Sequence, residues 1–167
     1  MKVLLVNGSP HREGCTYTAL CEAGDALNTC GVDTDVIWIG NRPLSGCIAC
    51  HKCAELNRCV FQDAVNDFLE IAGDYDGFVF GSPVHWAGAT GALTSFLNRA
   101  FYADLNGGGD RFYLKPAAAV ISARRAGTSS ASCTAGAPML ASAMAKRPIT
   151  CASSASTCSR SSLLRRM

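Results

Sequence analysis

The chain of 167 residues is marked first by what it lacks. No stretch approaches the roughly 18 uncharged apolar residues that a membrane-crossing helix needs, so a membrane partner is not expected. No Gly-x-Gly-x-x-Gly fingerprint follows the first apolar run, which argues against a separate dinucleotide site of the Rossmann kind. The opening run Val3–Val6 is too short for a secretory signal core and passes straight into Asn7-Gly8-Ser9-Pro10; the expectation is a soluble, cytoplasmic protein. There is no internal repeat. Acid is missing after Asp110: residues 1–125 carry 10 Lys+Arg and all 13 Asp+Glu, whereas residues 126–167 add only Lys146, Arg147, Arg160, Arg165 and Arg166. Such a basic end suggests nucleic acid, but it has no interleaved aromatics and no recognised module, so no nucleic-acid partner is expected.

What is present alternates. Lys2–Val6 reads as a buried strand, and Leu20, Ala23 and Leu27 keep helical spacing between Thr16 and Asn28. Asp35–Ile39 is a second strand. Asp63 caps a helix with Val65, Phe68, Leu69 and Ala72 on one face. Phe78–Phe80 is a third strand, ending at Gly81-Ser82-Pro83. Leu93, Phe96, Leu97, Ala100 and Phe101 mark the next helix, and Ala117–Ile121 is a fourth strand. Apolar strands alternating with helices predict an α/β fold of three layers, a parallel sheet covered on both faces.

The end of the chain breaks this pattern. Residues 126–167 contain ten Ser, nine Ala, no aromatic and no acid, too little apolar surface to offset the entropy of ordering. The reading is a domain over 1–125 followed by an anomalous Ser/Ala/Arg-rich tail over 126–167, disordered or out of frame from near Gly127, which leaves the last strand and helix of the sheet in doubt.

Three loops carry candidate chemistry. Gly8-Ser9-Pro10-His11-Arg12-Glu13-Gly14-Cys15-Thr16 follows a strand and opens a helix, so a phosphate placed there meets a positive helix end and a ring of donors. Its candidate ligands are the hydroxyls of Ser9 and Thr16, the amides of Gly14 and Cys15, and His11 or Arg12; the plainer reading is an ordinary turn with a capping Thr. Gly81-Ser82-Pro83-Val84-His85-Trp86-Ala87-Gly88 also links strand to helix, a stiff, partly apolar ledge suited to a flavin edge, although Trp86 alone reads as a packing residue. Ser122-Ala123-Arg124-Arg125-Ala126-Gly127-Thr128 follows the fourth strand, and its arginines are either solvated or placed beside the pyrimidine side of a flavin. In the flavodoxin-like doubly wound order 2-1-3-4-(5), the first and third strands are neighbours at the switch point, so the first two loops face each other across one crevice.

Gly-Ser-Pro-x-x-x-Gly-x-Thr, Gly-Ser-Pro-Val-x-Trp and Ser-Ala-Arg-Arg-Ala-Gly-Thr, in that order over about residues 1–128, resemble the NADPH-dependent FMN reductase and multimeric flavodoxin families. The resemblance implies that Ser9, His11, Gly14, Cys15 and Thr16 hold the FMN phosphate. It implies that Pro83, Val84, His85, Trp86 and Gly88 contact the isoalloxazine, with Arg124 and Gly127 closing the pocket. It also implies an oxidoreductase that passes electrons from NAD(P)H to a quinone, flavin or similar small acceptor, assembled as a homodimer or homotetramer. No catalytic acid, base or nucleophile is expected, because the cofactor supplies the redox chemistry.

Of ten cysteines, Cys47, Cys50, Cys53 and Cys59 crowd into one short segment. Clustered thiols in a reducing compartment point to metal or redox chemistry, and this spacing suits a 4Fe–4S cluster better than zinc. The motif resembles that of the iron-sulfur flavoproteins, which implies an electron carrier working with a ferredoxin-type partner as the alternative function. Zinc and a metal-free loop of packing thiols stay open. A further alternative is a truncated, non-functional remnant that binds FMN poorly.

Overall fold

The computed structural model describes residues 1–134. The chain runs β1 (Lys2–Asn7), α1 (Cys15–Thr29), β2 (Asp33–Trp38), α2 (Cys53–Leu56), α3 (Ala64–Ile71), β3 (Gly77–His85), β4 (Gly88–Ala89), α4 (Gly91–Asn106) and β5 (Ala117–Ser122). The four longer strands are parallel in the order β2-β1-β3-β5, and β4 is a two-residue antiparallel arm folded back on β3. Counted by its parallel strands alone, this is the expected flavodoxin-like order 2-1-3-4.

Strand alternation divides the core between the two faces. Leu4 and Val6 of β1 point to the side covered by α3 and α4, where they join Phe68, Phe78, Phe80, Phe96, Phe101 and Phe112. The phenylalanine rings there stack and meet edge to face, with centroids 4.5 Å apart for Phe101 and Phe112. Val3 and Leu5 point the other way and meet Leu20 of α1 and Val79. Among the described residues that second face is smaller and wholly aliphatic.

β3 differs from expectation. It continues through Gly81-Ser82-Pro83 to His85 instead of ending at Phe80. β5 explains this, because Gly81, Ser82 and Pro83 pair in register with Val120, Ile121 and Ser122. The β1 ladder stops at Asn7 opposite Gly81, so the missing N–H of Pro83 breaks no bond on that side. What sequence reads as an exit loop is therefore a hairpin, with Val84 opposite Ala89 and His85 opposite Gly88.

After Gly127, residues 128–134 are helical, and Ala131 is fully buried. Residues 128–134 thus belong to the tail expected over 126–167 to be disordered or out of frame; the rest of that stretch, and the doubtful last strand and helix, lie outside the described residues. Among those residues no helix is long and apolar enough to cross a membrane.

Candidate functional site

The loop after β1 is held from its own side chains. Asn7, fully buried at the strand end, accepts from the Ser9 N–H through Oδ1 at 3.0 Å and donates through Nδ2 to the Arg12 carbonyl at 3.0 Å. Trp38, at the end of β2, donates its Nε1–H to the Ser9 carbonyl at 2.8 Å. Below the loop, Gly8 N–H donates to the Gly81 carbonyl at 2.8 Å, and a Cβ on Gly8 would stand 2.9 Å from that same oxygen. Glycine is what lets β1 and β3 close here.

The loop delivers the chain to α1, and the helix starts there in a particular way. The first amide N–H groups of a helix have no intrahelical partner. In α3 Asp63 Oδ1 accepts one, from Val65, and in α4 Thr90 Oγ1 accepts one, from Leu93, each at 3.1 Å. The residue before α1 is Gly14, which has no side chain to cap with. The open, positive end of α1 therefore faces the loop.

The three strand-end loops enclose one cleft of about 400 Å³. Ser9, His11, Gly14, Cys15 and Thr16 line it from the first loop, Pro83, Val84 and His85 from the second, and Arg124 from the third. Pro10, Ser122 and Ala123 complete the lining and were not singled out from sequence. Thr16 Oγ1 and Ser122 Oγ share a 2.7 Å hydrogen bond across the cleft floor, and Ser9 Oγ accepts from the His11 N–H at 3.2 Å. Each pair leaves a hydroxyl proton to spare.

Four expected site residues stand elsewhere. Arg12 lines a neighbouring cavity of about 160 Å³ with Asn7, Glu13, Tyr17 and Trp38. Trp86 is wholly exposed at the hairpin tip, where it and Ala87 take positive φ angles of 49° and 63°. Gly88 lies in β4. Gly127 supports the hairpin from behind: at φ 93° its Cβ would meet Ala87 Cα at 2.7 Å and Val84 Cγ1 at 2.8 Å.

The second site is the cysteine segment. Cys47, Cys50, Cys53 and Cys59 all line one pocket of about 20 Å³, with Phe61, Arg99 and Tyr102. Cys47 and Cys50 are exposed on a loop, whereas Cys53, which opens α2, is buried. Burial pushes the Cys53 thiol up, and the nearby Cys50 and Cys47 add to the shift. Among the described residues no three His, Cys, Asp or Glu stand close enough to hold one metal ion. The donor set fits an iron-sulfur cluster in kind. The space between the thiols is that of about one water, so a cluster there would require the loop bearing Cys47 and Cys50 to move.

Arg99 of α4, invisible to the sequence reading, supports this segment. Its side chain is fully buried, pairs with Asp63 through Nη1 at 2.7 Å and Nη2 at 2.9 Å, and donates to the Ser45 carbonyl at 3.3 Å. Burial alone would lower its pKa, but Asp63 and Cys59 outweigh that and hold it above the ordinary value.

An iron-sulfur flavoprotein of Methanocaldococcus jannaschii is 34% identical over 100 residues, 60% of this chain and 52% of its own length. Further curated relatives, 24–29% identical, carry the same name. The chain spans about half the length of the curated relatives it matches. Among solved structures, RosB with a bound 8-demethyl-8-formylriboflavin-5'-phosphate superposes with a TM-score of 0.62 at 18% identity, over 78% of this chain and 55% of that one. An NAD(P)H:quinone oxidoreductase of Methanothermobacter marburgensis superposes with a TM-score of 0.53 at 15% identity, over 87% of this chain and 96% of that one. At such identities the structures speak for the fold. The model of the NADPH-dependent FMN reductase family matches residues 1–145, and the chain belongs to that family of flavin-dependent oxidoreductases.

Proposed function

We propose that the cleft between the three loops holds FMN, and that the chain passes electrons from NAD(P)H to a small acceptor such as a quinone or a free flavin. The observation that carries this reading is the convergence of all three loops on a cleft of about 400 Å³ whose end is the uncapped start of α1. Its size is ordinary for a small-ligand site. The phosphate takes the α1 end, where the Gly14 and Cys15 amides and the spare protons of Ser9 and of the Thr16–Ser122 pair donate to it. Pro83, Val84 and His85 would wall the ring, and Arg124 would bring positive charge to the same cleft. FMN held there would supply the redox chemistry, hydride acceptance and electron release in ones or twos. The protein's part is to grip, orient and tune. The exposed Trp86 tip suits contact with a second copy in a homodimer or homotetramer.

An anaerobic absorption spectrum before and after NADPH tests this. Flavin bands at about 375 and 450 nm that bleach are expected. A folded, colourless protein that takes up no added FMN overturns the reading.

The four thiols on one pocket favour a second reading, in which a 4Fe–4S cluster sits beside the flavin. The names of the relatives support it, and the chain then works as an electron carrier with a ferredoxin-type partner. About four iron and four sulfide per chain, with weak NAD(P)H oxidation, are expected on this reading; their absence after anaerobic reconstitution removes it.

A further inference from the structure

The cysteine pocket contains a group that thiol packing does not account for. A guanidinium taken fully out of water is costly, and it needs partners for its five N–H donors. Arg99 has an ion pair with Asp63 on two of them and the Ser45 carbonyl on a third. Its Cζ lies 4.9 Å from the centre of the Phe61 ring. The fourth donor, Nε–H, points at Cys59 Sγ, 3.2 Å away. A neutral thiol is a poor acceptor for a charged donor. A thiolate, the form in which cysteine binds a metal, is a good one.

Cys59 is also held at its backbone. Asn66, buried on α3, accepts from its N–H at 2.9 Å and donates to its carbonyl at 3.0 Å. Cys47 and Cys50 have no comparable hold and lie exposed. One ligand is thus set in advance by backbone and sulfur together, while two others come to it from a loop. Arg99 grips that loop as well, through Ser45.

We infer that Arg99 is the positioning residue of the cysteine site: its Nε–H holds Cys59 Sγ as a hydrogen-bonded ligand, and the bond raises the reduction potential of the bound cluster. The inference rests on the cluster reading above. Its physical basis is that a donor to a ligating sulfur draws charge from the cluster and so favours the reduced state. The ion pair with Asp63 is close to neutral, so the effect belongs to the bond to sulfur and not to a net charge.

Two variants test it in the full chain, reconstituted anaerobically with iron and sulfide. Arg99→Lys keeps the charge within reach of Asp63 but cannot donate to Asp63 and Sγ together in the same fork geometry. The double variant Arg99→Met with Asp63→Asn strands no buried charge and keeps a cap on α3, so it guards against a merely unfolded result. The readouts are the cluster's midpoint potential by anaerobic redox titration, iron per chain, and FMN content as a control. Both variants are expected to hold FMN like the parent and to titrate at a more negative potential. If the parent holds iron and both variants titrate at its potential, the role of Arg99 is overturned and the cluster reading stands. If the parent takes up no iron, both fall together, leaving the FMN reading untouched.

Discussion

The cleft and the cysteine pocket are built by opposite means. The cleft is made of backbone: strand ends, a glycine contact between β1 and β3, and short side chains such as Asn7 that fold the loop onto itself. It is open, with about 400 Å³ between its walls before anything is bound. The cysteine pocket is made of long-range side-chain contacts, Arg99 reaching 36 residues back to Asp63 and 40 back to Cys59. Its thiols are gathered but closed to about 20 Å³. A site for a rigid anion can be ready-made, because backbone amides do not move far. On the cluster reading proposed above, the cysteine pocket is assembled with its ligand, because metal binding and local folding are coupled.

That contrast predicts a crossed pattern of damage, largest in the cysteine region. Arg99→Ala leaves the Asp63 carboxylate, mostly buried, without its counter-charge, and breaking a buried pair costs about 3–5 kcal/mol. Urea unfolding should show that loss, while the fraction still folded binds FMN with parental affinity. An equal loss of FMN affinity would mean that the two regions are one structural unit.

Damage to the cleft should run the other way. Gly8→Ala pushes a methyl to 2.9 Å from both the Gly81 carbonyl oxygen and Leu93 Cβ, overpacking worth about 1–3 kcal/mol. Because the strain opens the β1–β3 junction under the loop, FMN titration should register it alongside the melting curve. Asn7→Ala removes both hydrogen bonds that fold the loop, about 1 kcal/mol each where water does not replace them. Its stability cost, about 2 kcal/mol in all, should lie in the same range, and its FMN dissociation constant should rise roughly tenfold, which corresponds to about 1.4 kcal/mol. An Asn7→Ala protein that binds FMN normally would show that the loop does not depend on its own side chains.

Much of the cleft was legible because its loops are written in local chemistry. Glycine, serine and proline at strand ends announce turns, and strand alternation with helices announces which turns share an edge. Asn7 had a local signal too, a polar residue closing an apolar strand, whose side chain folds the following loop. The exposed position of Trp86 was hidden for a physical reason: a turn with two positive φ angles usually shows Gly or Asn, and here Trp86 and Ala87 adopt them unannounced. The extension of β3 depends on pairing with β5 some 40 residues later, which no local pattern carries. Arg99 was hidden for the same reason. On α4 it sits between Leu97 and Ala100 as a charge that reads as solvent-facing, and only the position of Asp63 turns it inward.

A second ion pair gives the yardstick for the smallest effect. Lys2 Nζ lies 2.7 Å from Asp35 Oδ2, and the Tyr75 hydroxyl donates to the same oxygen at 2.7 Å, on the sheet between β1 and β2. Hydrogen bonds from Lys2 and then Tyr75 hold the Asp35 carboxyl below its usual value. A depressed carboxylate stabilises the fold at pH above its unfolded value, about 3.9, and that contribution disappears as pH falls through the lower folded value. Both side chains of the pair are 46% exposed, so water and salt screen most of it, unlike the fully buried guanidinium of Arg99. Urea midpoints measured from pH 6 down through about 3 should therefore fall slightly less steeply in Asp35→Asn than in the parent. The difference should shrink further in high salt. A drop as large as that of Arg99→Ala would mean that burial is not what separates the two pairs.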